Sequence, residues 1–235
     1  LVYDLIPINF PKFFPDGAQE IFHSWLETVS NYDQLLCISN STKLDVEKWL
    51  KNYYPCRFKL TITRAIRLSN ELNTEDRTLG DPKNGWFVRY LLEHHEVFLM
   101  VGTLEPRKEH FQVVAAFEML WDKGCEKKLV IVGKRGWCVD DLAKKIKNHQ
   151  QLNKNLIWLE DCSDEFLLEL YSGCKGLIAA SWAEGFGLPL IEAFNSGLPV
   201  FCRDIPVFRE VADKFATFFS ASEPKIFLNQ FLEWE

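Results

Sequence analysis

The sequence predicts an α/β fold, a doubly wound parallel sheet with helices on both faces, and three observations carry that expectation. From residue 97 onward, short apolar runs alternate with amphipathic stretches. The runs are apolar at consecutive positions, as strands covered on both faces must be. Turns rich in glycine, proline and Asp/Asn/Ser separate one from the next.

Strands are expected at 97–101, 129–132, 156–159, 177–181, 200–202 and 216–219. Helices are expected at 110–123, 140–148, 164–173, 189–196 and 207–212. A last amphipathic segment, 224–234, ends with the chain and reads as a helix cut short.

Residues 1–65 give a shorter alternation. Leu1-Val2-Tyr3 reads as a strand inside a larger protein, since no basic, leader-like region opens the chain. A helix from Asp16 to about residue 32 places Ile21, Phe22, Trp25, Leu26 and Val29 on one face. Residues 35–39 read as a buried strand. Ser39, Asn40 or Ser41 then caps a helix whose apolar face holds Leu44, Val46, Trp49 and Leu50. Residues 58–63 alternate as a half-buried strand. Residues 65–85 are polar and aperiodic, with turns at Asn70, Asn73, Asp81-Pro82 and Asn84-Gly85, and a helix is expected at 86–95. The expected domains are a partial N-terminal α/β domain (1–65), a linker and helix (66–96), a complete sheet domain (97–220) and a truncated helix (221–235).

Composition excludes several classes. Hydrophobic residues make up 47% and charged residues 26% of 235, ordinary for a water-exposed globular chain. A net charge of −6, from 27 basic and 33 acidic residues, argues against a nucleic-acid protein, which needs a basic stripe. No run of 18 apolar residues implies a membrane helix. Seven cysteines, the nearest two being Cys162 and Cys174, form no CxxC pair, so they read as reduced thiols of a cytosolic protein rather than a zinc site. His94 and His95 are adjacent and point apart on a helix, and the other histidines lack ligand-spaced partners, so no metal is expected.

The most informative stretch is Glu184-Gly185-Phe186-Gly187-Leu188-Pro189-Leu190-Ile191-Glu192. It follows an apolar run, and its two glycines let the backbone turn tightly and approach a ligand. Pro189 suits the first position of a helix. Strand, glycine loop and helix start leave free N–H groups and a helix dipole at one sheet edge, an anion site. Glu184 on the loop and Glu192 in the helix's first turn frame it; taken singly, each is also explained as a solvated or dipole-complementing residue.

Other strand exits carry further candidates. Gly102-Thr103-Leu104-Glu105-Pro106-Arg107-Lys108 offers a guanidinium and an ammonium side by side, suited to a diphosphate. Gly133 and Gly136 bracket two basic residues, either a pocket rim or a solvated turn. Ser163 or Asp164 caps the helix after Asp161-Cys162. Arg203-Asp204 reads as an ion pair stabilising a turn.

The Glu-x7-Glu spacing of Glu184 and Glu192, with Gly-Phe-Gly-Leu-Pro between, resembles retaining glycosyltransferases of family 4, which have the GT-B fold. Arg107-Lys108 resembles that family's Pro-Arg-Lys-Gly element, with Glu109 in place of the glycine. Tyr3-Asp4 stands where many members carry His-Asp. The resemblance implies two Rossmann-like domains, the second binding a nucleotide sugar. It implies Glu184, Arg107 and Lys108 as catalytic residues, and Glu192 as the ribose ligand. Gly185, Phe186, Gly187, Leu188, Gly102, Thr103, Gly133, Asp161 and Cys162 would complete the donor site. The subset it most resembles makes bacterial surface polysaccharide such as O-antigen, often from GDP-mannose, so a GDP-sugar is favoured and a UDP-sugar is the alternative. Implied too are a saccharide or lipid-linked acceptor, no tightly bound cofactor, no metal requirement, and a cytoplasmic location at the inner-membrane face. A sugar-nucleotide-binding module without catalysis, or a sugar-nucleotide epimerase, are the alternatives.

Overall fold

A computed structural model describes residues 1–66 and 78–235; the expected turns at Asn70 and Asn73 lie outside the described residues. The chain divides into two compact units. One is drawn from Leu1–Asn70, Ala183–Gly187 and Ile205–Asp213, the other from Glu71–Trp182, Leu188–Asp204 and Lys214–Glu235.

The first unit begins with α1 (Ile6–Asn9) and α2 (Ala18–Val29), followed by β1 (Gln34–Cys37), α3 (Asn40–Tyr53), α4 (Pro55–Phe58) and β2 (Ile62–Ala65). β1 and β2 pair in parallel, Gln34 opposite Ile62. Ser39 is the cap of α3, its Oγ accepting from the Thr42 N–H at 3.0 Å. Three expectations need correction. Leu1-Val2-Tyr3 contributes a single bridge, Val2 to Cys37. The strand expected at 58–63 starts at Ile62, because Pro55 sits in the first turn of a short helix that absorbs Phe58. The apolar faces are narrower than the spacing implies: Ile21 is 75% and Leu44 62% exposed. Leu26, Val46, Trp49 and Leu50 instead pack with Val2, Leu5, Leu35 and Cys37.

The second unit follows the expected alternation closely. α5 (Gly85–His94) leads into β3 (Val97–Val101), α6 (His110–Trp121), β4 (Lys128–Val132), α7 (Asp140–Lys147), β5 (Leu156–Leu159), α8 (Asp164–Gly173) and β6 (Gly176–Ala179). After these come α9 (Leu188–Asn195), β7 (Val200–Arg203), α10 (Pro206–Ala212, counted with the first unit), β8 (Ala216–Phe219) and α11 (Pro224–Trp234). Six strands form one parallel sheet in the order β5-β4-β3-β6-β7-β8. Local chemistry marks the helix ends. Ser163 caps α8 by accepting from the Phe166 N–H at 3.1 Å. In α7, Asp140 and Asp141 occupy the first turn and Lys144, Lys145 and Lys147 the last, complementing the dipole.

Aromatic packing fixes α11 and α6 on the sheet. Phe231 meets Phe98 at 4.8 Å and Phe117 at 5.3 Å between ring centroids, while Trp234 stacks on Phe201 at 4.9 Å. On another side of the unit, Arg89 of α5 forks between Asp81, at 2.7 Å to each carboxylate oxygen, and Glu169 of α8, at 2.7 and 3.0 Å. This ties the segment around Asp81 to two helices.

Two predictions follow from this packing. Phe231→Ala removes a fully buried ring from the aromatic cluster, and denaturant unfolding should show a loss of about 3–5 kcal/mol. The Arg89 guanidinium holds the Asp81 carboxyl below its ordinary 3.8, so this tether contributes above that pH and is lost as pH falls through the lower folded value. Amide exchange in residues 78–84, corrected for intrinsic rates, should be flat between about pH 7 and pH 5 and rise only in stronger acid. Asp81→Asn should raise it at neutral pH.

Candidate active site

Within the second unit, strand order decides where a ligand can sit. β4 and β5 extend the sheet to one side of β3, and the chain then returns to place β6 on the other side. β3 and β6 pair only at Phe98↔Gly176 and Leu99↔Leu177, so their ladder stops short of the strands' carboxyl ends. Such a switch point leaves a crevice between loops that run to opposite faces. Its walls are the exits of β3 and β6.

The β3 exit carries both candidate cations. Pro106–Lys108 form a 3-10 turn with proline in its first position. Arg107 Nε lies 2.7 Å from Glu105 Oε2, an ion pair in which both side chains are largely shielded. The Lys108 ammonium lies over Gly102, where an added Cβ would stand 3.0 Å from Nζ. Gly133, at the β4 exit, admits the Gly102 carbonyl against its own backbone; a side chain there would collide with it. Leu104 N–H donates to the Lys134 carbonyl at 2.9 Å and Gly136 N–H to the Leu104 carbonyl at 2.9 Å. Gly102, Thr103, Lys108 and Gly133 thus come together in one stitched patch of backbone. The glycines of the Gly133–Gly136 turn allow close loop-to-loop contact.

Asp161 and Cys162, at the β5 exit, line a cleft of about 680 Å³ with Lys134, Trp158 and the 78–84 segment. Trp158 is oriented by its indole N–H, which donates to the Gly133 carbonyl at 2.8 Å. Burial, then the charges of Asp164 and Glu169, push the Cys162 thiol up to about 11, so it stays protonated and apolar at neutral pH.

Glu192 lies one residue further into its helix than expected. α9 begins at Leu188, which is exposed, with Pro189 second, so Glu192 is the fifth helical residue and no acid occupies the first turn. Its carboxylate accepts from the Tyr171 hydroxyl of α8 at 2.6 Å. Burial, the Glu192 charge and that hydrogen bond raise the Tyr171 phenol far above its usual range, with a smaller contribution from Cys162. Tyr171 therefore keeps its proton and orients the Glu192 carboxylate through the hydrogen bond.

The β6 exit holds Trp182, which sequence reasoning passed over. Trp182 donates its backbone N–H to the Arg107 carbonyl at 2.8 Å and its indole N–H to Glu109 at 2.6 Å. The Arg203 guanidinium lies 3.8 Å from the Trp182 ring centroid. Rather than serving a surface turn, Arg203 is 2% exposed and points inward. It donates to the Ala180 carbonyl (2.8 Å), the Ala221 carbonyl (2.6 Å) and Gln112 (2.5 Å). Burial pushes its pKa down to about 10, opposed by the charge of Glu109, so it remains a cation at neutral pH. Spacing gave no signal for this, since Gln112 lies 91 residues away in the chain.

The loop holding Glu184, Gly185, Phe186 and Gly187 is counted with the first unit. The Gly185 carbonyl accepts from Ser39 Oγ at 2.8 Å, and a side chain on Gly185 would strike the Tyr3 carbonyl. The missing side chain at Gly185 thus makes room for a protein neighbour. Glu184 and Phe186 are half-buried, and Gly187 takes φ +103°. In the same unit, Glu210 of α10 accepts from the Asn40 and Ser41 N–H groups at 2.7 and 2.8 Å, capping α3.

Among the described residues no group of three or more His, Cys, Asp or Glu is placed to hold a metal ion, and no helix is long and apolar enough to cross a membrane.

Comparison with known proteins places the chain in a family. Residues 86–231 match the model of the family described as glycosyl transferases group 1. The whole chain is 42% identical to the serotype-specific mannosyltransferase WbdA of Escherichia coli, spanning 29% of its length. Over 89% of the chain it is 32% identical to O-antigen chain mannosyltransferase B of Escherichia coli, covering 53% of that protein. The chain therefore spans only about a third to a half of the length of these relatives. Among solved structures, HepE of Anabaena, in complex with UDP and glucose, superposes with a TM-score of 0.70 at 17% identity, over 97% of this chain and 59% of that one. This likeness carries the fold, and the α/β class of GT-B type is the one expected from sequence. The chain belongs to the glycosyl transferases group 1 family.

Proposed function

We propose that this chain is the catalytic part of a retaining hexosyltransferase, moving mannose from a nucleotide sugar, GDP-mannose before UDP-sugars, to a saccharide acceptor in surface-polysaccharide assembly. The observation that carries the reading is the cation pair Arg107-Lys108 beside Gly102 at the switch point of a parallel sheet. Mannose is favoured because WbdA, 42% identical, is named a mannosyltransferase. The domain assignment is part of the proposal: residues 97–220 bind the donor and residues 1–65 face the acceptor. So is the setting, a cytoplasmic enzyme meeting a lipid-linked acceptor at the inner-membrane face.

The chemistry follows from charge. As the bond between the anomeric carbon and phosphate oxygen breaks, negative charge grows on the departing nucleoside diphosphate. Arg107 and Lys108 would receive it, and donors already in place at a developing charge are often the largest single contribution to catalysis. Backbone amides from Gly185 to Leu188 would add neutral donors at the start of α9. Gly102, Thr103 and Gly133 would let the diphosphate approach the backbone. Glu192, its carboxylate steadied by Tyr171, would accept from ribose hydroxyls, and Glu184 would hold the transferred sugar. Asp161 and Cys162 would border the base. The two cations supply the counter-charge, so the reading routes no step through a metal.

Glu192→Gln keeps shape and removes charge. A hydrogen bond to a charged group contributes about 1.5–3 kcal/mol, so GDP binding measured by calorimetry should weaken by about ten- to a hundredfold. Undiminished affinity would remove Glu192 from the ribose. Incubating the full-length protein with GDP-mannose, UDP-glucose or UDP-galactose and a mannan primer tests the reaction itself; transfer from none of them would sink the transferase reading.

A further inference from the structure

The two walls of the crevice are fastened to each other by groups outside the proposed donor contacts. Trp182, leaving β6, binds the β3 exit twice: its backbone N–H meets the Arg107 carbonyl at 2.8 Å and its indole N–H meets Glu109 at 2.6 Å. These contacts bracket Lys108. The indole is backed by the Arg203 guanidinium at 3.8 Å, a flat cation stacked on an aromatic face. That guanidinium is anchored to the Ala180 and Ala221 carbonyls and to Gln112, so it has little freedom to follow a moving loop.

Glu109 carries the second observation. Its φ of +55° lies in the left-handed region, which glycine adopts without penalty and a glutamate does not. A side chain kept at such a position, with its carboxylate in a part-buried hydrogen bond to Trp182, is strain held in place by surrounding contacts.

We propose that Glu109, Trp182 and Arg203 are positioning residues: a clasp across the switch point that holds the Arg107-Lys108 pair where the leaving diphosphate must be met. This rests on the transferase reading above. The clasp acts on rate more than on binding. A loop that wanders still attracts the donor's phosphates, but it no longer presents two charges at the place where the bond breaks, and misplacement of that order costs up to a hundredfold in rate.

The test uses the full-length protein and three variants. Trp182→Phe keeps a smaller aromatic face and the backbone N–H and deletes the indole donor. Glu109→Gly deletes the acceptor while relieving the backbone. Glu109→Gln keeps an acceptor oxygen and loses the charge. The expected result is that Trp182→Phe and Glu109→Gly each lower kcat by about tenfold or more with KM for GDP-mannose within about threefold. Tm should be unchanged or higher in Glu109→Gly, and Glu109→Gln should recover most of the parent kcat. Amide exchange in residues 104–110 should rise in Trp182→Phe. Unchanged kcat in Trp182→Phe, a change carried wholly by KM, or unchanged exchange in that loop would each overturn the clasp. If the parent neither binds GDP nor transfers sugar, the transferase reading fails, and the exchange comparison alone then decides whether the clasp exists.

Discussion

A parallel sheet covered by helices on both faces leaves its polar chemistry to the strand ends, and everything notable in the second unit answers to that constraint. β3, β4, β6 and β7 are buried almost throughout. Charged groups can be brought together without burying them unpaired only where the strands stop. The reversal of strand order between β3 and β6 then selects one location along that edge. Arg107, Lys108, Gly102 and Trp182 belong to the two strands that flank it.

The charge balance of the β3 exit is instructive. Residues 105–109 contain two acids, Glu105 and Glu109, and two bases, Arg107 and Lys108. A loop built only to attract phosphate would carry no acids. Here Glu105 orients Arg107 and Glu109 engages Trp182, so each acid fixes geometry at the cost of some field. Charged groups held in this way lose less conformational freedom on meeting a ligand, which favours orientation over raw attraction. Arg203 follows the same logic further in, a buried cation whose donors are taken up by carbonyls and an amide.

In the first unit, α10 and the Glu184 loop are held through main-chain groups. Glu210 caps α3 from α10, and Ser39 and Thr42 reach the Gly185 carbonyl. The order Glu-Gly-Phe-Gly is thereby explained in part by packing: Gly185 is small because Tyr3 lies against it. A glycine motif read from sequence alone invites a ligand explanation, and this one has a neighbour of its own chain to satisfy as well.

Strand and helix positions in the second unit were legible in the amino-acid order, because burial on both faces writes unbroken apolar runs and helices write a period of their own. The Glu-x7-Glu element and the Arg-Lys pair were legible for a similar reason, being local in the chain. The first unit was read less well: at Ile21 and Leu44 the helical period is present but the side chains are exposed, since periodicity reports a face and not what covers it. Tertiary structure alone decided the partners of Glu192, Glu109 and Arg203. Tyr171 lies 21 residues from Glu192, Trp182 lies 73 from Glu109, and Gln112 lies 91 from Arg203. No local pattern encodes such pairings; they exist because the sheet order brings those strand exits and helices together.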